Sequence, residues 1–370
     1  MEENSWYQVA ETDNLVTPCL LVYPDRIEKN IDRMIEIVGD VSRIRPHIKT
    51  HKTAEIIHMQ MDKGIYQFKC ATIAEAELLG VCGAKDVLLA MQPVGKNINR
   101  LFTLIKTFPN TRFSTLLDNE ITLGHLANEA SNNGVKLPVY IDLNTGMNRT
   151  GIIPGDNALE LYRLIWGSPS LEAEGLHAYD GHIRHTGFEE RKAACQLAFR
   201  AVEKLKADIE ASGMPVKYIV AGGSPSFPVH ALNPGVITSP GTTLLWDARY
   251  DSLFGEMEFL PAAVLCSRVI SKPTRDMICL DLGHKALAPE MPFPRVRLLG
   301  IENCKQVSQS EEHLVLQCSD PDQLAIGDIV YAIPMHICPT VAKYPKLLTV
   351  ANGHVTGSWK VAARDHQLTF

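Results

Sequence analysis

From residue 25 to about 245 the chain alternates eight short apolar runs with stretches of helical periodicity, the runs falling at 44–49, 67–72, 86–92, 112–118, 137–144, 171–180, 217–223 and 235–241. Between Asp25 and Val38 the apolar face carries Ile27, Ile31, Met34, Ile35 and Val38, while Glu189 to Ala211 sets Arg191, Lys192, Glu203 and Lys206 on its polar side. Strands that alternate with helices imply parallel pairing through right-handed crossovers. Eight of them predict an α/β fold whose first domain, residues 17–250, is a (β/α)8 TIM-like barrel. Seven or nine strands fit the same pattern if the edges shift by a few residues. Beyond residue 255 the helical period gives way to short β runs at 262–269, 277–281, 296–301, 313–317, 329–333, 347–352 and 355–360, with Asn352-Gly353 as a hairpin turn. These predict an all-β domain over 251–370, to which residues 1–16 are expected to add an edge strand.

A barrel of this kind keeps its chemistry on the loops after the carboxyl ends of its strands. Those ends carry Lys49, Thr72, Gln92, Asn144 with Arg149, then His177, Tyr179, Asp180 and His182, then Gly222-Gly223-Ser224 and finally Gly241-Thr242. The first sits in Arg45-Pro46-His47-Ile48-Lys49-Thr50-His51-Lys52, where Arg45, Lys52 and any protonated His47 or His51 disfavour another ammonium. A lysine so placed loses its proton nearer neutrality and can attack an aldehyde to form a Schiff base; a solvated basic loop fits the same octapeptide. The last two segments fall where barrels commonly hold phosphate, with glycines admitting backbone N–H groups and hydroxyls adding donors. A lysine at the first strand end and two such loops at the seventh and eighth together suit a phosphorylated aldehyde, for which pyridoxal 5′-phosphate is the obvious candidate.

Composition narrows the classes. Of 370 residues 45% are apolar and 21% charged, and the formal net charge is −6 with both signs interspersed, so neither nucleic acid nor an anionic membrane is an expected partner. The start lacks the features of a secretory signal and no apolar stretch reaches spanning length, which sets a cytoplasmic expectation. The nine cysteines form no Cys-x-x-Cys pair, and their odd number argues for reduced thiols.

Met335-His336-Ile337-Cys338 closes the predicted strand at 329–333, where residues two apart share a side, so an imidazole and a thiolate would converge. Nitrogen with sulfur suits zinc. A chance His-x-Cys fits the spacing as well, and His313, His354 and His366 have no such companion in the sequence.

The octapeptide, with Ala71-Thr72 leading into Glu75-Ala76-Glu77, with Thr145-Gly146-Met147-Asn148-Arg149-Thr150-Gly151, with Gly222-Gly223-Ser224-Pro225-Ser226 and with His336-Ile337-Cys338-Pro339, closely resembles the D-threonine aldolase and D-serine dehydratase family, alanine racemase-like enzymes of PLP fold-type III. The resemblance runs from Thr17-Pro18 to Ala362-Ala363-Arg364. It implies a PLP barrel followed by a β domain, and a homodimer with shared active sites acting on a small D-amino acid. It makes Lys49 the Schiff-base lysine, with His47, Thr72, Arg149, Tyr179, Gly222, Gly223, Ser224, Gly241 and Thr242 around the cofactor. It also implies a divalent metal (Zn, Mn or Mg) on His336 and Cys338, which would act as a Lewis acid on the substrate's β-hydroxyl.

Two lyase outcomes follow from it: retro-aldol cleavage to glycine and an aldehyde, or dehydration and deamination to a 2-oxo acid and ammonia. Dehydratases of the family tend to carry cysteine in the metal pair and the well-known aldolases aspartate, a slight lean toward dehydration, whereas Pro334 to Thr340 looks most like bacterial members grouped as aldolases. Where aldolase-like members place a histidine base after the sixth-strand tyrosine, this chain has Tyr179-Asp180-Gly181-His182, so Asp180 or His182 would take that role. Asn144 stands where racemase-like relatives often carry aspartate. A metal-independent PLP amino-acid racemase is the alternative, and a carrier that holds PLP without turnover would lack the β domain.

Overall fold

The structure, a computed structural model, describes residues 6–370. The chain divides into two compact units, one made of Met1–Arg33, Thr50–Ile56 and Thr242–Arg364, the other of Met34–Lys49, Ile57–Gly241 and Asp365–Phe370.

Strand β1 is Cys19–Val22. Strands β2 (Gln67–Cys70), β3 (Asp86–Leu89), β4 (Arg112–Leu117), β5 (Leu137–Asp142), β6 (Leu171–Ala178), β7 (Tyr218–Ala221) and β8 (Val236–Thr238) form one parallel sheet in that order. Residues 44–47 supply the eighth position: Ile44 bridges Thr238 and His47 bridges Lys69, both in parallel, so the ring closes between β8 and β2. Helices Ile73–Val81, Lys96–Thr107, Glu120–Asn133, Asp156–Gly167 and Phe188–Ala211 make the crossovers within this unit. Leu88, Leu116, Tyr140, Val220 and Ile237 come from five strands and pack in one cluster, which residues of strands that far apart can do only inside the ring. Seven of the eight expected barrel strands are present within a few residues of their predicted edges, whereas the first, expected at 44–49, is reduced to the two bridges at Ile44 and His47 and passes into a 3-10 turn at Ile48–Thr50.

The other unit is built on a nine-stranded sheet, with β9 (Ala263–Thr274), β10 (Met277–Leu280), β11 (Val296–Leu299), β12 (Cys304–Gln309), β13 (Leu314–Cys318), β14 (Ile329–Pro334), β15 (Lys346–Ala351) and β16 (His354–Lys360). Here the structure departs from the sequence reading. Strand β1, inside the segment assigned to the barrel, lies between β9 and β15, antiparallel to the first and parallel to the second. All four of its residues are buried, which explains a run with no polar alternation. Residues 6–16 contain no strand; instead Tyr7 and Val9 are buried against Tyr331 and Val350. The Asn352-Gly353 turn joins β15 to β16 with φ of 52° and 77°, the doubly left-handed form that suits a tight hairpin.

Nor are all nine cysteines thiols. Cys304 and Cys318 face each other across β12 and β13 and are joined as a disulfide. β12 was not legible as a strand, so the two cysteines could not be read as partners.

Candidate active site

Lys49 lies in a cavity of about 270 Å³ at the carboxyl ends of the barrel strands, lined also by His47, Lys69, Ala71, Met91, Gln92, Arg149, Thr150, His177 and Tyr179. Tyr179 is its hub. Lys49 Nζ stands 5.8 Å from the ring centroid, Lys69 Nζ 5.7 Å and Arg149 Cζ 5.1 Å, so three cationic side chains surround one aromatic face or edge. The backbone N–H of Lys49 donates to His47 Nδ1 at 3.2 Å.

The cations around Lys49 are not the ones the octapeptide suggested. Arg45 is buried at the opposite, amino-terminal end of the strands, where it donates to Asp86 at 2.6 Å and to Gln67 at 3.0 Å. His51 is fully buried in the other unit, and burial, with the Lys52 charge, lowers its pKa to about 3, which keeps it neutral. Lys69 and Arg149 are the basic side chains that line its cavity instead.

Behind the cavity runs a polar chain. Lys69 Nζ is 3.5 Å from His177 Nε2, His177 Nδ1 is 2.7 Å from Asp142 Oδ1, and Asp142 Oδ2 accepts from Gln92 at 2.9 Å and Thr150 at 2.8 Å. Burial dominates at His177 and lowers its pKa despite the Asp142 bond. Lys69 and Asp142 are not among the strand-end residues singled out in the sequence, and His177 is named there without a role. The available signal was a lysine centred in the apolar Phe68-Lys69-Cys70 run, where an inward position should be apolar.

The expected phosphate loop has the shape of a cradle. Gly222 adopts φ of 79°, and a Cβ on Gly223 would lie 2.9 Å from Tyr179 Cε2, so the backbone passes close beside the tyrosine. Ser224 Oγ accepts from the Gly241 N–H at 3.2 Å and ties the two loops together. A lysine amine beside glycines that admit close approach, with an arginine alongside, is the donor set that a phosphorylated aldehyde requires. Of the other expected contacts, Thr72 caps helix Ile73–Val81 by accepting from the Glu75 N–H at 3.1 Å, and Thr242 Oγ1 lies 3.5 Å from Cys338 Sγ.

Neither proposed base lines the cavity. Asp180 is buried, bonded to His230 at 2.7 Å, to Ser226 at 2.6 Å and to the Cys195 thiol at 3.6 Å. Asp180, Cys195 and His230 thereby bring oxygen, sulfur and nitrogen donors within 4.8 Å of one another. His182 is exposed, with Nε2 2.8 Å from where a Cβ on Gly146 would stand. Asn144 shapes the Arg149 loop by accepting from the N–H groups of Gly146 at 3.1 Å and Asn148 at 3.0 Å.

In the β unit His336 and Cys338 do converge, though not as strand neighbours. β14 ends at Pro334, and His336 is the N-cap of a short helix, Ile337–Val341. Burial pushes the Cys338 thiol up, but hydrogen bonds from His336, Thr50 and Thr242 outweigh it and leave the pKa below the usual thiol value. For His336 burial is likewise outweighed, by Cys338, Glu290 and Asp247, which raise its pKa to about 9. Glu290 Oε1 is 2.6 Å from His336 Nδ1, and Thr50 Oγ1 is 3.1 Å from Cys338 Sγ. A thiol whose surroundings favour ionisation, next to an imidazole with an outer carboxylate, fits a zinc-type donor set.

Comparison with known proteins decides the lineage. Residues 22–247 match the alanine racemase N-terminal domain family, and residues 262–350 match the D-serine dehydratase domain. The chain belongs to the alanine racemase N-terminal domain family. It is 27% identical to 3-hydroxy-D-aspartate aldolase of Paracoccus denitrificans (strain Pd 1222) over 96% of this chain and 93% of that one. It is 26% identical to D-threonine aldolase of Arthrobacter sp over 87% and 85%. The crystal structure of D-threonine aldolase from Filomicrobium marinum superposes with a TM-score of 0.87 at 26% identity, covering 96% of this chain and 98% of that one. The fold is alanine racemase-like, and no helix among the described residues is long and apolar enough to cross a membrane.

Proposed function

We propose that this protein is a PLP- and divalent-metal-dependent lyase acting on D-3-hydroxy-α-amino acids. The observation that carries the reading is the placement of Lys49, Arg149 and Tyr179 in one cavity beside the Gly222–Ser224 cradle. The similarity to two curated aldolases and to an aldolase structure favours retro-aldol cleavage. The D-serine dehydratase domain match and the cysteine of the metal pair favour dehydration as the second reading.

Lys49 would carry pyridoxal 5′-phosphate, Arg149 would face its ring or phenolic oxygen, and Gly222, Gly223, Ser224 and Gly241 would receive the phosphate. When bound, the cofactor supplies a sink for the electron pair of the bond that breaks at Cα. His336 and Cys338 would hold a divalent ion, whose chemistry is that of a Lewis acid toward a hydroxyl. Within the chain, His47 fixes the backbone at Lys49, and Tyr179 keeps the three cationic side chains in place. A homodimer in which subunits complete each other's sites is part of the same reading, as is a cytoplasmic location.

The test is a product assay on PLP- and metal-loaded protein with D-threonine, with L-threonine and EDTA as controls. Glycine with acetaldehyde identifies the aldolase, and 2-oxobutanoate with ammonia the dehydratase. Neither product, with α-proton exchange that survives EDTA, identifies a racemase and overturns the proposal.

A further inference from the structure

Strands β2 and β6 are not neighbours in the barrel sheet, so the 3.5 Å approach of Lys69 Nζ to His177 Nε2 is made across the interior. The bonds beyond it have a direction. A carboxylate only accepts, so the 2.7 Å contact with Asp142 puts the hydrogen on His177 Nδ1 and leaves Nε2 with a lone pair facing Lys69. Gln92 and Thr150 hold Asp142 from its other oxygen. Asp142 thus sets the tautomer of His177, and His177 sets the position of the lysine amine.

A buried lysine that serves only the fold is expected to meet a carboxylate, because an ammonium taken from water without one is costly. Lys69 is 3% exposed, and the acid facing it, Asp142, lies beyond the imidazole. Its amine instead lines the cavity of Lys49 and shares the Tyr179 ring with it. Burial first, then the charge of Lys49, lowers its pKa to about 7, with Arg45 adding to the effect and Asp142 and Asp180 opposing it. An amine that exchanges its proton near neutrality suits acid–base work.

We propose that Lys69 is a second functional amine of this cavity, the proton carrier for substrate held against Lys49. The proposal rests on the lyase reading above, and it fills the role for which neither Asp180 nor His182 is placed. In its neutral form Lys69 takes one proton from the substrate and becomes an ammonium. In cleavage that proton comes from the β-hydroxyl and is returned to Cα, where the electron pair of the broken Cα–Cβ bond forms the new C–H bond. In dehydration it comes from Cα and leaves with the departing hydroxide as water. Either cycle ends with a neutral amine and needs no co-reactant.

Two measurements test this. Competitive acetylation of the full chain freed of cofactor, read by peptide mass spectrometry from pH 5 to 10, should show Lys69 reacting with a midpoint of about 7, while surface lysines follow a midpoint of about 10.4. In the loaded protein Lys69→Met should lower kcat on D-threonine by about 10²–10³-fold with KM little changed, while borohydride still fixes the cofactor on Lys49. Lys69→Arg keeps the charge but cannot give up its proton, so it should not rescue. A labelling midpoint among the surface lysines, or Lys69→Arg restoring kcat to near wild type, overturns the role of Lys69. Failure of borohydride to fix cofactor on Lys49 in the wild type overturns the lyase reading instead.

Discussion

Asp180 Oδ2 lies 2.7 Å from His230 Nε2, with both side chains buried and Ser226 donating to the other carboxylate oxygen at 2.6 Å. Ser226 Oγ in turn accepts from the Gly223 N–H at 3.1 Å, so one carboxylate clamps the turn after β7 to the end of β6. Burial raises the Asp180 pKa, but the bonds from His230 and Ser226 outweigh it and hold the carboxyl below its usual value. A depressed folded-state pKa contributes stability above the unfolded value of about 3.9, lost as pH falls through the folded value. Asp180→Ala removes one partner of a buried pair and should cost about 3 kcal/mol in urea denaturation at pH 7. The folded fraction should keep kcat within about tenfold, well short of the loss expected from removing a general base.

Gly223 and Tyr179 make the second prediction. A Cβ at position 223 would lie 2.9 Å from Tyr179 Cε2 and force the ring to move, although Lys49, Lys69 and Arg149 are all arranged around that ring. Gly223→Ala should weaken pyridoxal 5′-phosphate binding by about tenfold, or about 1.4 kcal/mol, in an absorbance titration of the cofactor-free protein. The melting temperature without cofactor should hardly change.

The parts of this site legible in the sequence are those built by local chain order. Arg149, Tyr179 and Gly223 each follow a strand and Lys49 follows the bridged segment 44–47, and a parallel barrel sends such residues to one end. The parts that escaped depend on pairing across long separations. Lys69 meets His177 through the barrel interior 108 residues away, Arg45 turns to Asp86 rather than to its own octapeptide, and β1 joins a sheet whose other strands begin at residue 263. His336 and Cys338 meet at a helix cap and not as neighbours on a strand, a local geometry that the two-residue spacing alone did not contain.

His51 should impose a specific acid sensitivity. Its folded-state pKa of about 3, set by burial and then by Lys52, lies below the unfolded value of about 6.5. Between those values the unfolded chain binds a proton that the folded chain does not, so stability falls as pH drops, by up to about 1.4 kcal/mol per pH unit. His51→Gln should flatten this limb between about pH 6 and pH 4. Urea midpoints of the two proteins across that range measure the difference, and equal slopes would mean that His51 is protonated in the folded state.

Cys338 offers the sharpest separation of the two lyase outcomes. Its sulfur lies 3.1 Å from Thr50 Oγ1 and 3.5 Å from Thr242 Oγ1, and although burial pushes its pKa up, the bonds from His336 and the two threonines lower it, so the surroundings favour the ionised form of this donor. If His336 and Cys338 hold the proposed ion, Cys338→Ala leaves it one protein ligand, and both bound metal and activity should fall, the activity by about 10²-fold or more for a Lewis acid that contributes several kcal/mol to the barrier. Cys338→Asp replaces a soft donor with a hard one, which shifts preference from zinc toward manganese or magnesium. The family resemblance implies that its well-known aldolases tend to carry aspartate at this position, so under the proposed function Cys338→Asp should restore turnover with those ions and raise the ratio of glycine to 2-oxobutanoate from D-threonine. If the ratio stays fixed while the preferred ion changes, the choice between cleavage and dehydration lies with the proton-transfer groups of the barrel and not with the metal pair. The Lys69 variants would then be the ones to alter it.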